Sequence, residues 1–386
     1  MEPELPSPEP HLEAFQPSLP DTAGNGFPSA EPEKPYRGLK WVFIGPHGLR
    51  SGWSALIFLV LLVSFASGFG FLFFRLHLIT KGGFTPSNAF FSELFQVLAL
   101  VAAAAVVALI ERRSILDYNL RGPRRTVHFF SGFVVGFAAL SALVGSLAWG
   151  GWLHFGPVTL HGSQVLKFAL IWGAMFLLVG CMEEGLMRCF LLSTFTRGVN
   201  FWWALGTVVC TCALVLIPTR GNGNWGVYVI ALLGLAPCLL LHLNKAPSAG
   251  FWQASWMTST MFGALHTGNN GENWIGIFAA AFIGFVFCVS VWVTGSAWWA
   301  IGCHAAWDWA ETYFYGTADS GMVAPGHLFS TKTVGNPLWS GGADGPEGSL
   351  LVIPIVLLIL AWLVVIYRRP RMAQLSAHAP TEQLAG

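Results

Sequence analysis

Long apolar runs recur along most of the chain and are separated by short polar stretches. Eight of them are long enough to cross a bilayer, since about 20 apolar residues in a helix span its hydrocarbon core. They cover residues 53–74, 88–110, 129–149, 164–182, 201–217, 227–243, 274–294 and 350–367. Two shorter stretches, 251–266 and 297–310, could be full spans, tilted helices or re-entrant segments lining a cavity. The pattern predicts an all-α fold, a polytopic transmembrane bundle of about 8 to 10 helices.

Ionisable residues interrupt three of these apolar segments. Glu183 and Glu184 follow a run without charge at 168–181, so we expect them at or just inside a membrane boundary. Such a side chain costs about 2.5 to 3.5 kcal/mol on insertion scales, which marks a candidate functional site. His266 interrupts the first short stretch, and His304 and Asp308 interrupt the second. Three motif-bearing helices are therefore predicted to line one polar cavity.

Helical spacing pairs several of these residues. Glu184 and Arg188 are four positions apart in the favourable acid-then-base order, which predicts an ion pair. Glu183 is rotated by about 100° from Glu184 and has no basic residue four positions later, so its carboxylate is the better candidate for a general base. His304 and Asp308 share a helix face, where the carboxylate could fix the tautomer of the imidazole or donate to a substrate if protonated.

Each motif alone also has a structural interpretation. The two glutamates could be a solvated helix end without function. Phe262 lies one turn before His266 and would hold the imidazole in a low-dielectric setting, yet a single histidine of this kind is more often a satisfied core group than a catalytic one. Only the combination of the three motifs favours a site.

Composition supports the membrane class and excludes others. Of the residues, 54% are hydrophobic and 10% charged, with a mean hydropathy of +0.59, which no soluble domain could bury. The net charge of +1 gives no electrostatic basis for binding nucleic acid. All seven cysteines lie in apolar segments without metal-finger spacing, and we interpret them as buried free thiols.

Basic residues predict the orientation. They cluster before the first span, after the second and after the last, which predicts cytoplasmic N- and C-termini in a multi-pass protein of the plasma (inner) membrane. The carboxylates of the fourth span would then lie near the cytoplasmic face, and a peptide would enter from that side or from the membrane.

Composition and hydropathy divide the chain into five segments. A tail rich in Pro and Glu at 1–40 is expected to be disordered, and transmembrane helices follow at 41–163. A core at 164–310 carries the three motifs, 311–349 is expected to be an external loop, and 350–386 combines a last helix with a basic tail.

Together the three motifs resemble a known family. Glu183, Glu184 and Arg188 match Glu-Glu-x-x-x-Arg, Phe262 and His266 match Phe-x-x-x-His, and His304 with Asp308 matches His-x-x-x-Asn/Asp. In this order, on apolar segments, they are similar to the motifs of the CPBP family of intramembrane proteases, also called the CAAX protease and bacteriocin-processing or Abi family. The resemblance covers residues 164–310.

The resemblance implies a role for each residue. Glu183 and His266 would activate a water for attack on the scissile carbonyl, while His304 and Asp308 would stabilise the oxyanion, with Glu184, Arg188 and Phe262 supporting the site. Well-described members carry Asn where this chain has Asp308. A carboxyl group donates a hydrogen bond only when protonated, so burial could keep Asp308 neutral, or this residue could orient His304. No cofactor is expected.

Other functions stay open at this stage. A metal-dependent protease would use Glu183, His266 and His304 as zinc ligands, although no His-Glu-x-x-His helix is present. A transporter or channel would use the buried Glu and His residues to relay protons or bind a substrate. A non-catalytic scaffold is the third alternative. Neither a prenylated CAAX tail nor a bacteriocin precursor can be chosen as the substrate from the sequence.

Overall fold

The computed structural model of the protein describes residues 39–45, 48–80, 85–198, 201–202, 204–206, 209–210, 235–245 and 248–367. Most of the two predicted spans at 201–217 and 227–243 lies outside the described residues, as do nearly all of the N-terminal tail and the basic C-terminal tail. The rest of the predicted helical pattern can be compared directly.

Helices dominate the described part of the chain. In chain order they are α1 Leu39–Phe43, α2 Ser51–Arg75, α3 Pro86–Ile110, α4 Arg125–Trp149, α5 Ser163–Glu184, α6 Leu192–Thr196, α7 Ala249–Leu265, α8 Trp274–Thr294, α9 Trp298–Trp309, α10 Pro337–Ser340 and α11 Val352–Ile366. Two antiparallel pairs of short strands accompany them, β1 Ile44–Gly45 with β2 Gly48–Leu49, and β3 Leu153–Val158 with β4 Phe329–Thr333. The predicted polytopic helical bundle is confirmed.

Five segments of the described chain are long and apolar enough to cross a membrane: Ser51–Arg75, Pro86–Ile110, Arg125–Trp149, Ser163–Thr196 and Trp274–Thr294. Helix α11 is a shorter apolar helix. The two short stretches left open by the sequence form α7 and α9, and α9 continues as a π-helical turn from Ala310 to Tyr315. Gly316, with a φ of 61°, ends this rod.

One end of the bundle, which we call the basic end, collects most of the described Lys and Arg residues. Glu111 follows α3 there and links three elements, because it accepts from Ser54 Oγ at 2.5 Å and pairs with Arg197 at 3.0 Å and Arg113 at 3.3 Å. The 111–124 segment also receives the start of α9 through Ala297 N, which donates to Asn119 O at 2.8 Å. These contacts close the basic end.

The opposite end, which we call the mouth end, is built from loops. Strand β3 pairs with β4, and Asn273 Nδ2 before α8 donates to Gly348 O at 3.2 Å. The predicted external loop at 311–349 is thus partly ordered into a strand and the short helix α10. Only Arg75, Lys167 and Lys332 carry a positive charge near this end among the described residues.

Glycines bring α4 and α9 into close contact. A Cβ on Gly132 or Gly136 of α4 would overlap the backbone of α9 at Trp299 or Cys303, and a Cβ on Gly302 would overlap Phe129 O. Small residues allow two helix backbones to approach in this way. The contact fixes the position of α9, which carries two motif residues.

We expect Gly136→Ala to lower the free energy of unfolding by about 1 to 3 kcal/mol, the usual cost of overpacking. The added methyl group meets the carbonyl oxygen of Cys303 and pushes α9 away. Gly145→Ala on the same helix is the matched control, since a Cβ there meets nothing within 4 Å. Thermal unfolding in detergent measures both, and equal melting temperatures would contradict this packing.

Candidate active site

One cavity of about 490 Å³ brings together the residues proposed for catalysis from the sequence. Glu183 of α5, His266 after α7, and His304 and Asp308 of α9 all line it, together with Phe262. Helices α5, α7 and α9 therefore supply the predicted polar cavity, and apolar residues of α8 complete its wall.

The helix that carries the first motif is longer than predicted. Glu184 is the last α-helical residue of α5, but a π-helical turn at Gly185–Leu191 leads directly into α6, so the apolar segment runs on to Thr196. The two glutamates thus lie inside an apolar helical segment of 34 residues, and their expected position at a membrane boundary stays a prediction. The sequence argument took the end of the charge-free run for the end of the helix.

The predicted ion pair between Glu184 and Arg188 is confirmed. Arg188 Nε lies 3.2 Å from Glu184 Oε2, and both side chains are fully buried. The guanidinium also stacks over the Phe262 ring at 4.4 Å, a cation–π contact that the sequence argument missed. Asn119 Nδ2 donates to the carbonyl of Arg188 at 2.7 Å and holds the π-helical turn in place.

His304 is surrounded by three carboxylates. Its Nδ1 lies 2.9 Å from Glu184 Oε1, so this nitrogen donates to the ion-paired carboxylate. Its Nε2 lies 3.7 Å from Glu183 Oε2 and 3.5 Å from Asp308 Oδ2. Glu184 therefore fixes the orientation of the imidazole, with Nε2 directed at the cavity side. The sequence indicated only the ion pair of Glu184 with Arg188 and not this contact with His304.

His266 is oriented by the backbone of its own helix. Its Nδ1 lies 2.7 Å from Phe262 O, and since a carbonyl oxygen only accepts, Nδ1 carries the proton. The Nε2 atom has no part in this hydrogen bond and belongs to a side chain that lines the cavity. The Phe262 ring lies 4.7 Å from the His266 ring and 6.1 Å from the His304 ring, so Phe262 contacts residues of all three motifs.

Four further carboxylates line the cavity and were not identified from the sequence. Glu93 of α3 interacts electrostatically with Glu183. The sequence could have identified Glu93, since it is the only charged residue in the predicted span 88–110. The other three, Glu272, Asp319 and Glu347, lie in loops of the mouth end. No local pattern distinguishes them from ordinary loop acids.

Burial dominates the electrostatics of the mouth end. It is the first cause that raises the pKa of Glu347 to about 8, followed by the charges of Asp319 and Asp344. Burial and a neighbouring carboxyl group also raise the pKa of Glu272 and of Asp344 above their ordinary values. Trp307 Nε1 donates to Glu347 Oε1 at 2.7 Å and ties this acidic loop to α9.

A zinc site requires three or four protein ligands close enough to share one ion. Among the described residues, no group of three His, Cys, Asp or Glu side chains has an arrangement that could hold a metal ion. Glu183, His266 and His304 share the cavity without forming such a ligand set. Metal dependence stays a question for experiment.

The cysteines agree only in part with their predicted burial. Cys189, Cys238, Cys288 and Cys303 are buried and Cys181 is partly buried, but Cys210 is exposed. Cys212 lies outside the described residues. All six described thiols are free, as predicted.

The cavity lies toward the mouth end of the bundle. Its lining runs from Glu183 through α3 and α8 to loop residues of the mouth end, including Met322, which is 42% exposed. The described residues of the basic end do not line it. Entry of the peptide from the membrane or the cytoplasmic side stays a prediction, as does the orientation of the termini.

Comparison with known families matches part of the chain. Residues 238–310 match the family model of the Rce1-like type II CAAX prenyl endopeptidases. This range holds α7, α8 and α9 with Phe262, His266, His304 and Asp308, whereas the glutamate motif of α5 precedes it. Comparisons with curated proteins and with solved structures gave no match. The resemblance to the CPBP family is thereby confirmed through this segment, and the apolar helices are those of an integral multi-pass membrane protein.

Proposed function

We propose that the protein hydrolyses a peptide bond in this cavity with a water activated by Glu183 and His266. The observation that carries the proposal is the convergence of the three motifs, from three helices, on one cavity. Among the described residues no donor bonds to Glu183 Oε2, so this carboxylate is available to accept a proton from water. Water attacks the carbonyl carbon, Glu183 takes its proton, and the proton passes to the leaving amine as the C–N bond breaks.

His304 is proposed to stabilise the oxyanion through Nε2. Two carboxylates next to that nitrogen favour a protonated imidazole, which donates where negative charge develops. Asp308 Oδ2 at 3.5 Å is placed to hold that nitrogen. We therefore assign Asp308 to positioning His304, the second of the two roles considered for it, and this assignment requires no protonated carboxyl group.

His304→Ala is expected to lower kcat by about 10² to 10³, the range for losing one oxyanion donor. KM should change little, because the donor acts mainly in the transition state. Steady-state kinetics on a fluorogenic peptide measure both constants. An unchanged kcat would remove His304 from the reaction.

The experiment that tests the function offers the purified protein in detergent a library of apolar and basic peptides. Cleavage at defined bonds, detected by mass spectrometry and lost in Glu183→Gln, supports an endopeptidase. Intact peptides with the wild-type protein would favour the transporter or scaffold interpretation.

A further inference from the structure

A groove of about 850 Å³ runs between α4 and α11, outside the active-site cavity. Small side chains of α4 leave its hollow open, and isoleucines of α11 help to form its wall: Ala138, Ala139, Ala142, Ile355 and Ile359. Exposed apolar side chains flank it, since Val134 is 65% and Leu358 64% exposed. No described residue lines both the groove and the active-site cavity, so the groove is a separate feature of the surface.

The polarity of the groove changes along its length. Its described lining contains two hydroxyl groups, those of Thr126 and Ser131, and both lie in the first two turns of α4. From Val134 to Ala142, the α4 side of the groove is entirely apolar. Along the helix, Thr126 and Ala142 are about 24 Å apart, which exceeds the roughly 15 Å depth of one hydrocarbon leaflet. This gradient fits an amphiphile with its polar head beside Thr126 and a long hydrocarbon chain.

Two exposed arginines lie at the polar end of the groove. Arg124 precedes α4 and Arg125 is its first residue, directly before Thr126. In the described part of the chain, neither arginine takes part in the ion pairs of the basic end. Trp149 at the other end of α4 is 95% exposed, and basic and aromatic residues of this kind anchor helix ends at the interfaces of a bilayer. The arginines therefore lie at the level of the lipid headgroups, where they can bind a phosphate.

Aromatic residues of α11 complete the polar end. The hydroxyl groups of Ser131 and Tyr367 form a hydrogen bond of 2.8 Å, which joins the end of α11 to α4. The Tyr367 ring packs edge-on against Trp362, with ring centroids 5.8 Å apart, and Trp362 also lines the groove. Tyr and Trp are enriched at the headgroup level of membrane proteins. The polar end of the groove thus combines two cations, two hydroxyl groups and an aromatic wall.

We infer that this groove binds one anionic glycerophospholipid from the leaflet that meets the basic end. The lipid phosphate pairs with Arg124 and Arg125, and one acyl chain lies along the alanines of α4. Another face of α4 packs against α9 through Gly132 and Gly136. The bound lipid therefore supports, from outside the bundle, the helix against which α9 rests. This inference does not depend on peptide hydrolysis.

A second copy of the chain fits the groove less well than a lipid. Copies in one bilayer share the same orientation, so a symmetric dimer through this groove would bring Arg124 and Arg125 of both copies to the same level. Like charges placed opposite each other oppose association. An anionic headgroup instead neutralises them.

Native mass spectrometry of the delipidated full-length protein in detergent measures the binding. The probes are phosphatidylglycerol and phosphatidylcholine with identical acyl chains, so only the headgroups differ. We expect one phosphatidylglycerol per chain, bound roughly 10- to 30-fold more tightly than phosphatidylcholine, the size expected for two arginines at an anionic headgroup. Added salt should reduce this ratio. Glycerol phosphate, which has the charge but no acyl chain, should not displace the lipid.

The charged part of the site is tested by replacing both arginines. Arg124→Gln combined with Arg125→Gln should abolish the preference for phosphatidylglycerol. Arg112→Gln combined with Arg121→Gln is the matched control, because it removes the same charge from the basic end at residues that do not line the groove. This control should keep the ratio of the two lipids.

The apolar part is tested by filling the groove. Ala138→Phe should lower the affinity for both lipids by roughly 10-fold or more, because the acyl chain loses its space. Gly145→Phe adds the same ring to an exposed position of α4 outside the groove and should leave both affinities unchanged.

Four results would overturn the inference. They are equal binding of the two lipids by the wild-type protein, an unchanged lipid ratio in the double arginine variant, displacement of the lipid by glycerol phosphate, and a wild-type dimer that Ala138→Phe converts to a monomer. The last result would assign the groove to a second copy of the chain.

Discussion

Glu183→Gln is expected to lower kcat by about 10² to 10⁴, the contribution of a general base. The amide preserves the volume and polarity of the side chain, but it cannot accept the proton of the attacking water. Glu183 Oε2 lies 3.7 Å from His304 Nε2 without a hydrogen bond, so the substitution should leave the surrounding contacts in place. A fluorogenic peptide assay measures kcat.

Folding of this variant must be checked beside its activity. Elution as one monodisperse peak in detergent and a melting temperature close to that of the wild type would assign the loss to chemistry. Near-normal turnover in a folded Glu183→Gln protein would show that Glu183 is not the base, and Glu184 would become the candidate.

Breaking the buried ion pair is expected to have the largest effect on stability. Glu184→Ala leaves the buried Arg188 guanidinium without its carboxylate, and Arg188→Ala leaves Glu184 with His304 as its remaining partner. Breaking a buried pair in this way costs about 3 to 5 kcal/mol. Replacing both partners should recover part of that loss, because no uncompensated charge then remains. Thermal unfolding and expression yield measure the three variants.

The chain contains a matched control for this prediction. Asp117 and Arg121 form an ion pair with the same four-residue spacing at 3.2 Å, but their side chains are 36% and 61% exposed. Arg121→Ala, which removes the exposed partner and leaves the capping contact of Asp117 with Ser114, should cost less than about 1 kcal/mol. If the two single variants of the buried pair are as stable as Arg121→Ala, the pair does not support the fold.

Glu184→Ala should also slow the reaction, because Glu184 Oε1 holds His304 Nδ1 at 2.9 Å. Stability and turnover thus fall together in this variant. From the sequence, only the ion pair with Arg188 was predicted for Glu184. Residue spacing along one helix predicts neighbours on that helix, but it does not predict contacts with a second helix packed against it.

The helices and the three motifs could be predicted because their signals are local. Apolar runs of the right length located α2, α3, α4 and α8, and spacing of four residues paired Glu184 with Arg188. The convergence of His304 on both glutamates depends on the close α4–α9 packing, which rests on glycines 132, 136 and 302. Such glycines look unremarkable in a sequence, because each of them acts through a distant partner.

The mouth end shows the other limit of prediction. Glu272 and Glu347 are separated by a long stretch of chain and meet only because the loops before α8 and before α11 fold over one cavity. The end at which the cavity opens could not be predicted for the same reason, since a hydropathy profile places charges along the chain and does not show which end of the bundle is open.

Peptide cleavage in H₂¹⁸O by exhaustively chelated protein tests the central claim most directly, since it reports hydrolysis and metal dependence together. The account predicts that the wild-type protein cleaves and that one ¹⁸O enters the new carboxyl terminus. It also predicts that chelation leaves kcat unchanged, while Glu183→Gln gives no product above background. Activity that disappears on chelation and returns with added zinc, or full activity in Glu183→Gln, would contradict a water activated by Glu183 and His266.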